Sequence, residues 1–182
     1  MNKEDKMQSI YNQEMLTTKV FLTMDQVGQN IKQNLERNIS FNIEGKCTRD
    51  GYIKPNSVRV FKYSSGVINN DKVEFQTVYE CLVCYPVEGM KIDCKVKTIT
   101  KAGIHAQVID ADGNTPITMF IARDHHFTDK MFENIKENSQ IKTEVVGIRF
   151  ELNDPYICAI GTLDNNNGNE NKVKPAIQIT KK

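Results

Sequence analysis

The stretch Gly89-Met-Lys-Ile-Asp-Cys-Lys-Val-Lys-Thr-Ile-Thr-Lys-Ala-Gly-Ile-His-Ala-Gln-Val108 decides the fold of this chain. Ile92, Cys94 and Val96 alternate with charged residues, which predicts a strand with one apolar and one charged face. Ile99 follows Val96 by three positions instead of two. One extra residue at this point predicts a β-bulge, which would bend the strand as at the corner of a barrel.

The residues that follow predict the rest of a small barrel. Lys101-Ala102-Gly103 supplies a tight turn, and apolar residues alternate again from Ile104 to Val108. Asp110–Asn114 predicts a hairpin turn. Three further strands are predicted at 117–122, 141–150 and 156–162, with a short helical or irregular connection at 129–138. This order predicts a five-stranded barrel of the OB type, a fold that commonly binds nucleic acid on one face.

A different pattern precedes Glu88. Residues 16–22 are rich in β-branched side chains and predict a strand, and Asp25 is expected to cap a following helix. A buried helix face is predicted from apolar residues spaced by four, with charged residues on the outer face. The apolar residues are Val27, Ile31, Leu35 and Ile39, and the charged residues are Lys32, Glu36 and Arg37.

From Phe41 the pattern changes to strands, which we predict at 57–63 and 73–87. Val67-Ile68 is a short apolar pair within an otherwise polar loop. The predicted fold class is therefore α+β and mostly β, with a strand–helix–strands domain before the OB-type barrel. We predict a flexible arm at 1–14, a first domain at 15–88, a barrel at 89–163 and an Asn-rich tail at 164–182.

Composition limits the possible functions. A net charge of +1, with 39% hydrophobic and 26% charged residues, is that of an ordinary globular protein. Nucleic-acid contact would therefore be confined to a narrow basic stripe. No apolar run reaches the roughly 20 residues of a membrane span, and the polar first 15 residues do not predict a signal peptide. Five cysteines, an odd number, favour reduced thiols in the cytoplasm or nucleus.

Two groups of residues raise the alternative of a small metal or redox enzyme. Cys81 and Cys84 have the spacing of half a zinc site, but the sequence has no second pair, and a free Cys in a strand commonly behaves as a buried apolar residue. His125-His126 are neighbours that would point to opposite faces of a strand. Because nucleophile and phosphate-binding motifs are also missing, we expect neither catalytic residues nor a metal or other cofactor.

The best candidates for function are basic and aromatic residues of the predicted barrel. They are Lys95, Lys97, Lys101, His105, Phe120, Arg123 and Arg149. Neighbouring strands and loops would bring them onto one surface that could contact RNA. The alternative is that these side chains form an ordinary solvated face.

An ordered set of segments resembles the stalk subunit of multisubunit RNA polymerases. The segments are Tyr79-Glu-Cys-Leu-Val-Cys-Tyr-Pro-Val-Glu-Gly89, Gly103-Ile-His-Ala-Gln-Val108, Phe120-Ile-Ala-Arg-Asp-His125, Val145-Val-Gly-Ile-Arg149 and Ala159-Ile-Gly-Thr-Leu163. The resemblance is to the seventh subunit of eukaryotic RNA polymerase II and to its archaeal counterpart, and the polymerase of a cell or of a large DNA virus could each carry such a subunit. It covers residues 16–163 in order.

The resemblance implies a protein without catalytic activity of its own, acting in transcription initiation and elongation. The first domain, called the tip domain in this family, would dock on the polymerase core near the clamp. The barrel would contact nascent single-stranded RNA. The implied partners are core subunits and a smaller stalk subunit, at the site of transcription in the nucleus or cytoplasm, or in a virion or viral factory. By position, the docking residues are Asp50, Gly51, Tyr52, Ser65, Gly66, Val67 and Ile68.

The chain departs from RNA-binding barrels of this kind at two positions. Ala102 and Ala122 stand where such barrels carry an aromatic residue and a His, leaving His105 and Phe120. Stacking contributes roughly 1–3 kcal/mol per base, so we expect weak RNA contact that is mainly electrostatic. The alternative to a polymerase subunit is a free-standing RNA-binding protein of translation or RNA decay.

Overall fold

The computed structural model describes residues 10–125, Phe132 and residues 135–164. They form a mostly β structure, in which a six-stranded sheet with one helix is followed by a closed barrel of five strands. The predicted fold class is confirmed. The sheet contains β1 (Asn12–Thr23), β2 (Cys47–Thr48), β3 (Gly51–Ile53), β4 (Arg59–Tyr63), β5 (Val67–Asn69) and β6 (Lys72–Cys84), with helix α1 (Ile31–Ile43) between β1 and β2. The barrel contains β7 (Lys91–Ile99), β8 (Gly103–Val108), β9 (Ile117–Ala122), β10 (Gln140–Arg149) and β11 (Ile157–Leu163).

Strand β6 organises the sheet. It pairs with β1 along its whole length on one side and with β3, β4 and β5 in turn on the other. Its side chains alternate between buried and more exposed positions from Lys72 to Val83, because successive residues of a strand point to opposite faces. β1 pairs only with β6 in the part of the chain that the structure describes, so it is an edge strand.

Helix α1 packs the predicted apolar stripe against this sheet. Leu35 and Ile39 are buried, and Val27 and Ile31 lie against the same core, which confirms the stripe. Asp25 does not cap the helix as predicted. Met24–Gln26 form a separate 3₁₀ turn, and α1 begins at Ile31 after an N-cap at Asn30. Gly28 separates the two turns, and a glycine inside a helix costs about 1 kcal/mol.

Three further predictions for the first domain need correction. α1 continues to Ile43, so Phe41 is helical and the strands begin only at Cys47. The end of the predicted arm is ordered, because β1 begins at Asn12. Glu36 is not simply on an outer face, since its carboxylate accepts a 3.0 Å hydrogen bond from the backbone N–H of Val60.

Two carboxylates, one in α1 and one at its C-terminal cap, accept hydrogen bonds from backbone N–H groups at the edge of β4 that does not pair with β6. Glu36 binds the N–H of Val60, and Glu44 accepts a 2.9 Å bond from the N–H of Val58. Both valines are buried, and a buried N–H without a partner would cost about 1–3 kcal/mol. The helix therefore contributes hydrogen bonds to the sheet as well as an apolar face.

The barrel follows the prediction closely. β7, β8 and β9 are antiparallel neighbours, β9 pairs with β11 in parallel, and β10 joins β11 to β7 and closes the ring. The register between β7 and β8 shifts between Val96 and Thr98, so Lys97 is the extra residue of the predicted bulge. A second irregularity falls between Val145 and Gly147 of β10.

Two sets of contacts join the sheet to the barrel. Tyr11, Cys47, Tyr52 and Cys84 of the first domain belong to the apolar cluster that fills the barrel. The backbone of Cys47 exchanges two 2.8 Å hydrogen bonds with the Asn153–Asp154 turn between β10 and β11. Lys54 also forms a 2.7 Å ion pair with Asp112. Residues 85–90 connect β6 to β7 along the chain. In addition, these contacts pack part of the sheet against the core of the barrel.

None of the helices in the described ranges has the length and apolar composition required to cross a membrane.

Candidate docking surface and nucleic-acid interface

A hairpin of β5 and β6 presents two apolar side chains to solvent. Val67 and Ile68 pair with Glu74 and Val73 of β6 and are 64% and 71% exposed. They lie in a short strand, whereas the sequence predicted a loop. Gly66 allows this hairpin to lie close to the sheet, because a Cβ there would be 2.6 Å from the Val73 side chain and 2.9 Å from the Phe75 ring. The exposed pair is therefore held on a defined structural element.

The second predicted docking segment is mostly internal. Gly51 and Tyr52 lie in β3 and are buried, and Tyr52 pairs with Cys84 at the base of the barrel core. Asp50, in the turn before β3, is exposed. A partner could therefore reach Asp50 and the hairpin residues Ser65, Gly66, Val67 and Ile68, but not the buried side chain of Tyr52.

The two predicted docking segments do not meet. Ile68 pairs with Val73 near the start of β6, whereas Ile53 pairs with Val83 near its end. Ten residues of strand span about 33 Å. A single docking surface would have to be large to include both, so the exposed hairpin is the more compact candidate.

On the barrel, the structure brings His105 and Phe120 together. They are paired residues of β8 and β9, and their ring centroids lie 4.8 Å apart at an interplanar angle of 46°. His105 is exposed and Phe120 is partly exposed. The tilted rings form a small aromatic surface of the kind on which a nucleic-acid base can stack.

Basic residues surround this aromatic pair. Lys97 protrudes at the β7 bulge, and Lys101 lies in the turn between β7 and β8. The N–H of Arg123 donates a 3.0 Å hydrogen bond to the carbonyl of Ala102, which places Arg123 beside that turn. A Cβ on Gly103 would lie 2.3 Å from the Ile121 carbonyl, so this close approach of β8 and β9 requires glycine. Ala102 and Ala122 lie here too.

These cations are available to a ligand. Lys95, Lys97, Lys101 and Arg123 are exposed, and none forms an ion pair within the residues that the structure describes. The Arg123 guanidinium instead lies over the Phe132 ring, 5.3 Å from its centroid. Lys95 lies farther along β7, paired with Gln107.

Arg149 lies far from Lys95 and is paired with a carboxylate. Partner residues across the barrel run from Arg149 through Cys158, Thr118 and Gln107 to Lys95. Four such steps of about 4.8 Å give a path of roughly 19 Å along the surface. Arg149 also forms a 3.2 Å ion pair with Glu151. The ion pair therefore distinguishes Arg149 from the other predicted cations of the barrel, which form none among the described residues.

The cysteine alternative has no geometric support. Cys81 belongs to the core of the sheet and Cys84 to the core of the barrel, because residues three apart point to opposite faces of β6. Burial raises the pKa of Cys81 to about 11 and that of Cys84 to about 12, so both thiols remain protonated at neutral pH. Among the described residues no group of three or more His, Cys, Asp or Glu side chains is placed to hold a metal ion. His126 lies outside those residues.

The sequence did not predict a polar contact between the sheet and the barrel. The Tyr11 phenol donates a 2.9 Å hydrogen bond to Asp110, and the Lys54 ammonium lies 5.4 Å from the centroid of the Tyr11 ring. Asp110 also accepts bonds from the backbone and side chain of Asn114. The residues from Asp110 to Asn114 predicted the turn. No local pattern indicated that Tyr11, within the predicted arm, would donate a hydrogen bond to Asp110.

Comparison with known proteins gives two relatives and no matching family model. A protein of Acanthamoeba polyphaga mimivirus, described by its name as a DNA-directed RNA polymerase subunit, is 28% identical over 173 residues, covering 86% of this chain and 83% of the relative. The DNA-directed RNA polymerase II subunit RPB7 of Glycine max is 23% identical over 154 residues, covering 75% of this chain and 82% of the relative. The predicted resemblance is confirmed. These homologues indicate a DNA-directed RNA polymerase subunit similar to RPB7.

Proposed function

We propose that this chain is a non-catalytic stalk subunit of a DNA-directed RNA polymerase. The first domain docks on the core enzyme near the clamp, and the barrel contacts nascent single-stranded RNA during initiation and elongation. Its partners are the core subunits and a smaller stalk subunit, and it acts where transcription takes place, in the nucleus, the cytoplasm or a viral factory.

The exposed pair Val67 and Ile68 is the observation that carries the docking proposal. Val67 and Ile68 point to opposite faces of β5 and are each more than 60% exposed, so apolar surface faces water on both sides of the hairpin. Burying about 100 Å² of such surface against a partner would contribute roughly 2.5 kcal/mol. A hairpin with Gly66 beneath it presents these side chains in a fixed geometry, which reduces the ordering cost of binding.

The barrel surface supports the RNA contact. His105 and Phe120 supply one stacking surface, and the neighbouring cations supply attraction for phosphates. This cluster lies on the barrel, whereas the hairpin lies at the N-terminal end of β6 in the sheet. Separate surfaces would allow one protein to bind the polymerase core and RNA at the same time.

The test replaces Val67 and Ile68 with Asp and measures co-purification with the polymerase core. Burying two charges in a desolvated interface is costly, so we expect the double variant to lose its binding to the polymerase core. Its melting temperature should stay close to that of the parent, because changes at exposed positions usually fall within about 0.5 kcal/mol. Met24→Asp with Phe41→Asp is the matched control, since both residues are exposed on the same domain.

Three results would contradict this assignment. An unfolded double variant would mean that the pair is internal, and normal core binding would mean that docking uses another surface. Purification of the native chain with ribosomes or nucleases, and without polymerase subunits, would support the free-standing RNA-binding protein instead.

A further inference from the structure

One row of residues crosses all five strands on the outer surface of the barrel. The strand registers pair, in this order, Thr98 of β7, His105 of β8, Phe120 of β9, Ile160 of β11 and Gly147 of β10. Paired residues of neighbouring strands lie on the same face of a sheet. Every member of the row is exposed or partly exposed, so the row faces solvent. The aromatic pair described above is therefore the centre of a longer row.

Ile160 extends the apolar part of this row beyond the aromatic pair. Its side chain is 50% exposed, whereas its neighbours along β11, Ala159 and Gly161, are buried. A single exposed aliphatic residue is ordinary at a protein surface. Ile160, however, is the cross-strand partner of Phe120, which itself contacts His105. The three side chains therefore offer adjoining apolar surface across three neighbouring strands.

Gly147 leaves the β10 end of the row open. Among the described residues, a Cβ on Gly147 would have no heavy atom within 4 Å, so packing does not require glycine there. Gly147 also lacks a positive φ, so its backbone conformation does not require glycine either. Gly103 is different, because a Cβ there would lie 2.3 Å from the Ile121 carbonyl. A glycine within a strand can mark a place where a ligand comes close to the backbone.

The charges beside the row match a ligand that carries phosphates. Lys97 directly precedes Thr98 at the β7 end, and Lys101 and Arg123 lie at the neighbouring turn. None of the three cations forms an ion pair in the part of the chain that the structure describes. An apolar strip with free cations at one end suits an unpaired nucleic-acid strand, whose bases lie on the strip while its phosphates meet the cations.

We propose that this row holds two consecutive unpaired nucleotides of one RNA strand, with the second base over Ile160 beside Gly147. The first base stacks on Phe120 and His105, so this inference rests on the RNA contact of the proposed function. Neighbouring strands lie about 4.8 Å apart, and the three steps from His105 to Gly147 span about 14 Å. An unstacked strand advances farther per nucleotide than the roughly 3.4 Å of a duplex, so this length accommodates roughly two nucleotides.

The first test changes Ile160 in both directions and measures the Kd of the full chain for short single-stranded RNA by fluorescence anisotropy. Ile160→Phe adds a second aromatic stacking surface, so we expect Kd to fall at least about fivefold. A gain in affinity cannot result from misfolding. Ile160→Thr removes about 40 Å² of apolar contact, so we expect Kd to rise about fivefold. Leu152→Thr is the matched control, because Leu152 is exposed in the turn between β10 and β11, and it should leave Kd unchanged.

Gly147→Val tests the course of the RNA across β10. Val favours strands and its Cβ would meet no atom of the described barrel, so the melting temperature should match that of the parent. The added side chain would cover the second position, and we expect Kd to rise about fivefold or more. Unchanged Kd in the Gly147 and Ile160 variants, with weaker binding by Phe120→Ala, would overturn this inference and retain the RNA contact. A parent chain that binds no RNA would overturn both.

A cross-linking experiment locates the two bases directly. RNA that contains 4-thiouridine is bound to the full chain and illuminated, and the cross-linked peptides are identified by mass spectrometry. We expect cross-links to the peptide that contains Phe120 and to the peptide that contains Ile160, with the second set lost in Gly147→Val. Cross-links to the Phe120 peptide alone would overturn the second position. If Ile160→Thr instead abolished co-purification with a polymerase subunit and left Kd for RNA unchanged, the row beyond Phe120 would belong to a protein partner.

Discussion

The phenol of Tyr11 donates a 2.9 Å hydrogen bond to Asp110, 99 residues further along the chain. Tyr11 directly precedes β1, and Asp110 follows the barrel strand β8. Burial and the neighbouring carboxylate raise the pKa of Tyr11, so the phenol stays a hydrogen-bond donor at neutral pH. One side-chain bond thereby joins the start of the sheet to a loop of the barrel.

Tyr11→Phe should lower the free energy of unfolding by about 1–3 kcal/mol, because the lost hydrogen bond ends on a charged acceptor. Denaturant unfolding measures this change. Tyr63→Phe is the control, since Tyr63 is exposed and packs edge-on against Phe75 through its ring. Similar losses in both variants would show that the phenol of Tyr11 contributes nothing beyond ring packing.

The same junction predicts a dependence on pH. Burial acts to raise the pKa of Asp110, but hydrogen bonds from Asn114, Tyr11 and Asp112 outweigh it and hold that pKa below its ordinary value. A carboxylate with a lowered folded-state pKa stabilises the fold above its ordinary pKa of about 4, and this contribution is lost as the pH falls further. Asp110→Asn should therefore cost more stability at pH 7 than at pH 3, as measured by urea unfolding at both values. A cost that is independent of pH would contradict this role, and Asp93→Asn controls for removal of an exposed carboxylate.

Glu36→Ala should be clearly destabilising, contrary to the expectation for an outer-face residue. The substitution removes the acceptor of the buried Val60 N–H, at a cost of about 1–3 kcal/mol. Glu36→Gln keeps an acceptor oxygen and should lose less, and the exposed helix residue Lys32 changed to Ala should have little effect. Thermal or denaturant unfolding of the three variants tests this order, and equal stability of Glu36→Ala and the parent would refute it.

RNA binding should depend on salt through the barrel cations. If three of them contact phosphates of a single strand, the logarithm of affinity falls with the logarithm of salt at a slope of about −2. That slope gives a loss of about twentyfold between roughly 50 and 200 mM salt. Changing Lys95, Lys97 and Lys101 to Gln should weaken binding and flatten the slope for all sequences. Arg149→Gln should have a smaller effect, because the charge of Arg149 is already paired with Glu151. Unchanged binding by the triple variant would identify these lysines as a solvated face.

Phe120→Ala should reduce the affinity for single-stranded RNA while leaving the salt slope intact. Loss of one stacked base costs roughly 1–3 kcal/mol, which is about five- to 150-fold in Kd. Phe61→Ala, at an exposed position of β4, is the matched control. Fluorescence anisotropy with a short oligonucleotide gives both numbers, and equal affinity of the two variants would exclude Phe120 as a stacking surface.

The sequence predicted best those features that follow from local alternation. The step from Val96 to Ile99 predicted a bulge in β7, because each strand residue shifts the side chain to the other face, and the register places that bulge at Lys97. The sequence predicted that His105 and Phe120 would share a surface, and the structure pairs them across β8 and β9. The predicted helix start was wrong because Asp25 has the chemistry of a helix cap. In the structure Asp25 lies in a separate 3₁₀ turn, and Gly28 disfavours a continuous helix from Asp25 to Ile31.

Contacts between distant segments could not be predicted in this way. The Tyr11 bond to Asp110 and the Glu36 bond to Val60 depend on how the sheet, helix and barrel pack, and neither pair has a local signature. Gly51 and Tyr52 matched a docking loop by position, but burial depends on the core that forms beneath β3. The sequence therefore predicted which residues belong to the candidate sites. The structure was needed to show which of these residues are exposed and which of them lie together.

The position of β6 also sets the order in which the sheet can assemble. Asn69 and Lys72 pair across a two-residue turn, whereas Asn12 must find Val83 across 70 intervening residues. The entropy lost on loop closure grows with the length of the loop, so the β5–β6 hairpin forms at the lowest cost and β1 joins last. During synthesis β1 has no partner until β6, which begins at Lys72, has left the ribosome. On this argument the hairpin that carries Val67 and Ile68 is expected to form first, so destabilising substitutions within it should slow folding.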